Sequence, residues 1–65
     1  MTEKRQDELE LWNAFGDGAP YTWPRDAGIG LGIHWKRVDY LCWKWVRQGR
    51  YDYGVCRDLG WKVEP

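Results

Sequence analysis

The chain of 65 residues has one His, one Met, one Phe, two Cys and three Pro. Cys42 and Cys56 are too few for the multi-bridge framework of a small secreted domain. They are not spaced as C-x-x-C, and His34 is the lone histidine, so a Cys/His zinc site lacks ligands. The two cysteines read as reduced thiols of a cytoplasmic protein, with Cys42 buried as a small hydrophobe; a Cys42–Cys56 bridge is the alternative. No run approaches the roughly 18 apolar residues that span a bilayer. The opening residues are polar and acidic, so no signal peptide is expected. Charge of either sign is not in excess, because ten Lys and Arg balance ten Asp and Glu. A neutral chain rich in aromatics is not a charge-solvated disordered tail.

Large aromatics are what the chain has in quantity, with six Trp and four Tyr. A chain this short buries only about 60% of its unfolded surface. Trp and Tyr suit that limit, since each buries roughly 150–250 Å². A single domain over residues 1–65 is expected.

Residues 2–15 lack Gly and Pro and carry Thr2, Glu3 and Asp7 near their start, which predicts a helix over about 2–15. Leu9, Trp12 and Phe15 are expected to share its apolar face, with Leu11 close by. Gly16-Asp17-Gly18 reads as the turn that ends it. Thr22 is the expected cap of a short helix over about 23–29, with Pro24 in the first turn. Gly30-Leu31-Gly32 reads as a second turn.

The strongest pattern spans His34 to Gln48. Val38, Leu41, Cys42 and Trp45 recur at i, i+3, i+4 and i+7, the stripe of an amphipathic helix. Gly49 follows as a stop, and Lys44 and Arg47 suit the C-terminal dipole. The period then becomes two. Tyr51, Tyr53 and Val55 alternate with Asp52 and Gly54, and Trp61 and Val63 alternate with Lys62 and Glu64. A hairpin over about 51–64 is implied, turning through 56–60. The expected fold is thus α+β, three helices with a C-terminal two-stranded hairpin.

Several residues carry a likeness to a known family. They are Leu11-Trp12-Asn13-Ala14-Phe15-Gly16-Asp17-Gly18, Leu31-Gly32-Ile33, Val38, Leu41, Cys42, Trp45, Gly49 and Tyr51. Val38 stands six residues after Gly32, and Gly49 eleven after Val38. In this order and spacing the chain resembles the winged helix-turn-helix family of DNA-binding domains, from about Leu9 to Val63. Its second helix departs from the family pattern at Ala27-Gly28, and its wing has only Arg57 and Lys62 as basic residues. The resemblance implies a recognition helix over 34–48 that enters the major groove of duplex DNA and a wing that touches the backbone. It also implies transcriptional control. Minimal members of this kind are common in bacteriophages, so the implied setting is the cytoplasm of a bacterial host.

A groove-reading helix uses polar side chains along its outer face. The candidate contacts are His34, Trp35, Lys36, Arg37, Tyr40, Trp43, Lys44 and Arg47, with Arg57 at the wing tip. His34 is either a cap or a base contact. Trp43 either meets the ligand or packs beneath the wing. Trp12, Trp45 and Trp61 are assigned to the core, with Tyr51 and Tyr53 as core strand residues. Zero net charge taken alone argues against a nucleic-acid partner, but the charge is divided unevenly. From Ile33 to Arg50, five basic residues face Asp39 alone, a local +4; from Met1 to Gly18, two face five acidic residues, a local −3. The acidic first helix is therefore expected to lie away from the nucleic acid.

Catalysis is not expected, since one His offers no Ser-His-Asp or Cys-His arrangement. No cofactor or metal is implied. The second reading is a winged-helix module that binds a host protein through an exposed Trp35, Tyr40 and Trp43. Winged helices often dimerise through an additional helix, and none is read here, so a monomer or weak homodimer is expected.

Overall fold

The stretch free of Gly and Pro becomes α1, Thr2–Ala14, in a computed structural model that describes residues 2–16, 19–54 and 56–63. It ends before Phe15, and the next residue, Gly16, has a φ of +106°. The expected turn residues Asp17 and Gly18 lie outside the described residues. Beyond them Tyr21 forms a parallel bridge with Phe15, and the Gly16 N–H donates to the Tyr21 carbonyl at 3.0 Å. The loop therefore returns the chain to the end of α1. Two further helices follow, α2 over Pro24–Leu31 and α3 over Trp35–Arg47, then strands β1 over Tyr51–Tyr53 and β2 over Gly60–Lys62. The strands pair antiparallel, with Tyr51 opposite Lys62, Asp52 opposite Trp61 and Tyr53 opposite Gly60. This is the expected α+β arrangement of three helices and a C-terminal hairpin.

Trp45 holds the core together. Its ring meets Trp12 at 4.8 Å, Phe15 at 5.9 Å and Tyr51 at 6.2 Å, so one side chain of α3 touches α1 and β1 together. Leu11, Ala27, Val38, Leu41 and Cys42 complete the buried set. The stripe predicted for α3 is therefore the buried stripe. That predicted for α1 is shifted: Leu11 and Phe15, four residues apart, point inward, while Leu9 is 56% exposed. Residues 8, 11, 12 and 15 share the inner face at helical spacing, and Leu9 falls about 100° round the helix from Glu8.

The second helix differs from expectation at both ends. Gly30 and Leu31 belong to α2, and the turn begins at Gly32, in the left-handed conformation with a φ of +75°. Thr22 does not cap the helix. Trp23 takes the cap position with an extended backbone and no side-chain hydrogen bond. A helix N-terminus needs acceptors for its free N–H groups. Here the Asp58 carbonyl, from the hairpin loop, accepts from the Arg25 N–H at 3.3 Å. The departure at Ala27-Gly28 has a packing cause, because a Cβ on Gly28 would come within 2.5 Å of Val38 Cγ2. Glycine there lets α2 sit directly on α3.

The hairpin reverses the expected phase of β2. Residues directly opposite in an antiparallel pair share a face. Tyr51 faces the core, so Lys62 faces inward beside it, and Trp61 pairs with Asp52 on the outer face. Trp61 is 52% exposed and lies along Gly54 rather than filling the core. Tyr53 is likewise largely exposed, packing edge-on against Trp43 at 5.7 Å. Lys62 does what Trp61 was expected to do, with its ammonium 4.9 Å from the ring centres of both Trp12 and Phe15. Val55 and Glu64, expected strand positions, lie outside the described residues.

Candidate nucleic-acid interface

Helix α2, a turn at Gly32–His34 and helix α3 form a helix-turn-helix with a glycine in its short connection. The turn presents α3 by its N-terminus. His34 is the N-cap, and its Nδ1 accepts from the Lys36 N–H at 3.1 Å. That bond occupies Nδ1 and leaves the far side of the ring outward. Trp35 stacks on His34 at 5.6 Å, and Lys36 lies 5.7 Å over the Trp35 ring.

On the solvent side of α3, Lys36, Tyr40, Trp43 and Arg47 recur at i, i+4, i+7 and i+11, opposite the buried stripe. Lys36, Tyr40 and Arg47 are exposed, and Arg37 lies 5.4 Å over the Tyr40 ring. Trp43 is half-buried between Tyr53 and the Arg57 guanidinium, so it packs beneath the hairpin. Neither Lys36 nor Arg47 has an ion-pair partner among the described residues. The chain matches no protein-family model, no curated protein and no solved structure.

Two of the sequence-predicted cations are committed elsewhere in the fold. Lys44 Nζ meets Glu8 Oε1 at 2.8 Å, and the Trp45 indole N–H donates to Glu8 Oε2 at 3.0 Å. The acidic first helix thus does not lie wholly apart from the basic helix; Glu8 packs directly on it. Burial alone would raise the Glu8 carboxyl pKa. The hydrogen bonds from Lys44 and Trp45, with the charges of Lys44 and Arg37, outweigh burial and hold it below the ordinary glutamate value. The second committed cation is Arg57, which forms an ion pair with Asp39 on α3 while its guanidinium lies 5.5 Å over Trp43.

The hairpin loop is docked rather than projecting. Arg57 ties it to α3, the Asp58 carbonyl ties it to the start of α2, and the Arg25 and Asp58 side chains approach to 3.9 Å. Within the loop, the Cys56 thiol donates to Asp58 Oδ1 at 2.8 Å, and the Tyr51 hydroxyl donates to the Arg57 carbonyl at 2.8 Å. Both thiols are free. Burial pushes the Cys42 thiol up to about 12, so it stays protonated.

A shallow apolar cavity of about 470 Å³ opens between α2, the start of α3 and the loop, lined by Ile29, Ile33, Trp35 and Val38 with Arg25 and Asp58 at its rim. Among the described residues, no three His, Cys, Asp or Glu side chains cluster as a metal site, and no helix is long and apolar enough to cross a membrane.

Sequence reasoning passed over Glu8, Arg50 and Lys62. Glu8 was visible as a carboxylate on the stripe that contains Leu11, Trp12 and Phe15. A charge at such a position requires a buried donor, and the Trp45 indole N–H is that donor. Arg50 and Lys62 gave no local signal, because the rings they cover, Trp12 and Phe15, are distant in sequence.

Proposed function

We propose that this protein is a small winged helix-turn-helix domain that binds duplex DNA, with α3 in the major groove. The observation that carries this reading is the outward stripe of α3, on which Lys36 and Arg47 stand without an ion-pair partner among the described residues, on either side of Tyr40 and Trp43. Lys36 lies in the first turn, where a recognition helix meets base edges, and Arg47 lies about three turns on. Donors at the two ends suit base edges at one end and a phosphate at the other. Because Lys44 and Arg57 are neutralised within the fold, the electrostatic attraction is modest. Affinity then depends on fit more than on charge, in keeping with a regulator of transcription. A bacteriophage origin and action in the cytoplasm of a bacterial host belong to the same proposal.

The test is a titration of labelled duplex DNA at two salt concentrations, followed by selection of bound sequences from a random duplex pool. Binding that weakens with salt, together with an enriched motif, supports the reading. Absence of binding at micromolar protein to the selected pool defeats it.

A second reading rests on one separate observation. Ile29 is 72% exposed and Trp35 67% exposed, and both line the apolar cavity. Side chains of that kind form the centre of protein interfaces. Under this reading the domain docks a host protein. Trp35→Ala then abolishes complex formation without changing the salt response of duplex binding.

A further inference from the structure

A second cavity lies between α1 and the C-terminal end of α3, away from the outward stripe. Its volume is about 290 Å³, and Arg5, Glu8, Trp12, Lys44, Trp45 and Arg50 line it. Three cations face one carboxylate there, and that carboxylate is already occupied on both oxygens, by Lys44 and by the Trp45 indole. Arg5 and Arg50 consequently have no carboxylate partner among the described residues.

Arg50 is held in position. Its guanidinium lies 4.3 Å over the Trp12 ring, its N–H donates to the Trp45 carbonyl at 2.9 Å, and its carbonyl accepts from Val63 at 2.8 Å. Stacking uses the face of a guanidinium and leaves its edge donors for a planar acceptor. The carbonyls of Lys44, Trp45 and Val46 near the end of α3 already accept from the N–H groups of Gln48, Gly49 and Arg50. Indole walls also exclude water from one side of the cavity, which strengthens a charge-assisted bond.

We propose that this cavity binds a small phosphate-bearing anion through Arg50 and Arg5, while Lys44 stays with Glu8. The guanidinium fork matches two oxygens of a phosphate. The volume is at the lower limit of ligand sites, which run to roughly 300–1,000 Å³, and so suits a phosphate or a short phosphomonoester rather than an extended polymer. The site uses none of Lys36, Tyr40 or Arg47, and so goes beyond the DNA-binding reading.

The test titrates the full chain with inorganic phosphate at constant ionic strength, set with chloride, while the Trp indole N–H resonances are followed. A saturable shift of Trp12 and Trp45 is expected. Arg50→Lys and Arg5→Gln should each weaken it by about ten-fold, the share of one charge-assisted hydrogen bond. Lys36→Gln should leave it unchanged. Arg5 is exposed, so its variant stays informative if the Arg50 variant folds poorly. Failure to saturate by about 50 mM phosphate, or wild-type affinity in both arginine variants, overturns the site. In a second arm duplex DNA is added to the phosphate-loaded protein. Simultaneous binding is expected; displacement of phosphate would assign these cations to the nucleic-acid backbone and overturn a separate site. The indole titration needs no DNA, so the two readings fail independently.

Discussion

The indole N–H of Trp45 is satisfied by Glu8, 37 residues away in sequence, through a hydrogen bond of 3.0 Å. Trp45 is fully buried, so its polar edge needs an acceptor inside the fold. The carboxylate that provides it is brought by α1 and is fixed on its other oxygen by Lys44. This bond sets the register of α1 on α3. A one-residue rotation of α1 would leave a buried indole unpaired.

Glu8 therefore makes stability depend on pH in the acid range. Its pKa is lower in the folded chain than in the unfolded one. The stabilisation is then fully present above the unfolded glutamate value and is lost as pH falls through the folded value. The midpoint of thermal unfolding should drop over that interval. Glu8→Gln should flatten this dependence, and Glu8→Ala should cost about 1–2 kcal/mol at neutral pH, since Lys44 is part-exposed and the indole is left unpaired. A pH profile unchanged in Glu8→Gln would show that the pair contributes nothing.

Gly28 makes a different kind of contact, one that only the absence of a side chain permits. Alanine there gains up to about 1 kcal/mol of helix propensity. It also places a methyl group against Val38 Cγ2, on a β-branched side chain with little freedom to turn away. Overpacking of this kind costs roughly 1–3 kcal/mol, so Gly28→Ala should destabilise the fold. Val38→Ala, harmful alone, should be less harmful in the Gly28→Ala background. Urea denaturation of the four chains gives the coupling, and strict additivity would refute the close-approach argument.

The order and type of every element were legible because each is signalled locally. The 3.6-residue stripe of Val38, Leu41, Cys42 and Trp45 specified α3, and Gly49 marked its stop. The candidate stripe Lys36, Tyr40 and Arg47 followed from the same wheel. What periodicity could not supply was partner identity. Whether Lys44 and Arg57 are available depends on Glu8 and Asp39, distant in sequence. The cap of α2 comes from a loop about thirty residues later, so no local cue replaced Thr22. In β2, alternation left two phases open, and the hydrophobic one was the wrong choice.

That phase error can be measured. Lys62 covers Trp12 and Phe15 with its stem and its charge, whereas Trp61 lies on the outer face. Each such cation–aromatic contact is worth about 0.5–2 kcal/mol. Lys62→Ala should therefore lower stability by about 1–2 kcal/mol, more than Trp61→Ala does. Burial in the core would reverse that order. Chemical denaturation of the two variants distinguishes the cases.

The two thiols should separate sharply in reactivity. Cys42 is buried with its pKa pushed up to about 12, so it presents almost no thiolate near neutrality. Cys56 is only half-buried, and its hydrogen bond to Asp58 raises its pKa as well. With a disulfide reagent at mildly alkaline pH, one thiol should react slowly in the folded protein and the second only after denaturant is added. Asp58→Asn should speed the first reaction. Two thiols reacting at equal rates in the native chain would contradict the buried position of Cys42.

The ion pair between Arg57 and Asp39 gives the sharpest test of the proposed DNA contact. In the free protein Arg57 is held by α3 and its charge is offset. Asp39→Asn removes that competitor, so Arg57 becomes available to a phosphate. Each phosphate neutralised adds about 0.9 to the slope of log affinity against log salt. Asp39→Asn should therefore tighten duplex binding at low salt and steepen the slope by up to about one. Lys36→Gln and Arg47→Gln should weaken binding, and each that meets a phosphate should flatten the slope by about one. Lys44→Gln should change it less, because Glu8 already takes that charge. Fluorescence anisotropy across a salt series reads all four slopes. If Lys44→Gln flattened the slope as much as Lys36→Gln does, the duplex would be contacting the α1 side of the helix, and the outward stripe would not be the interface.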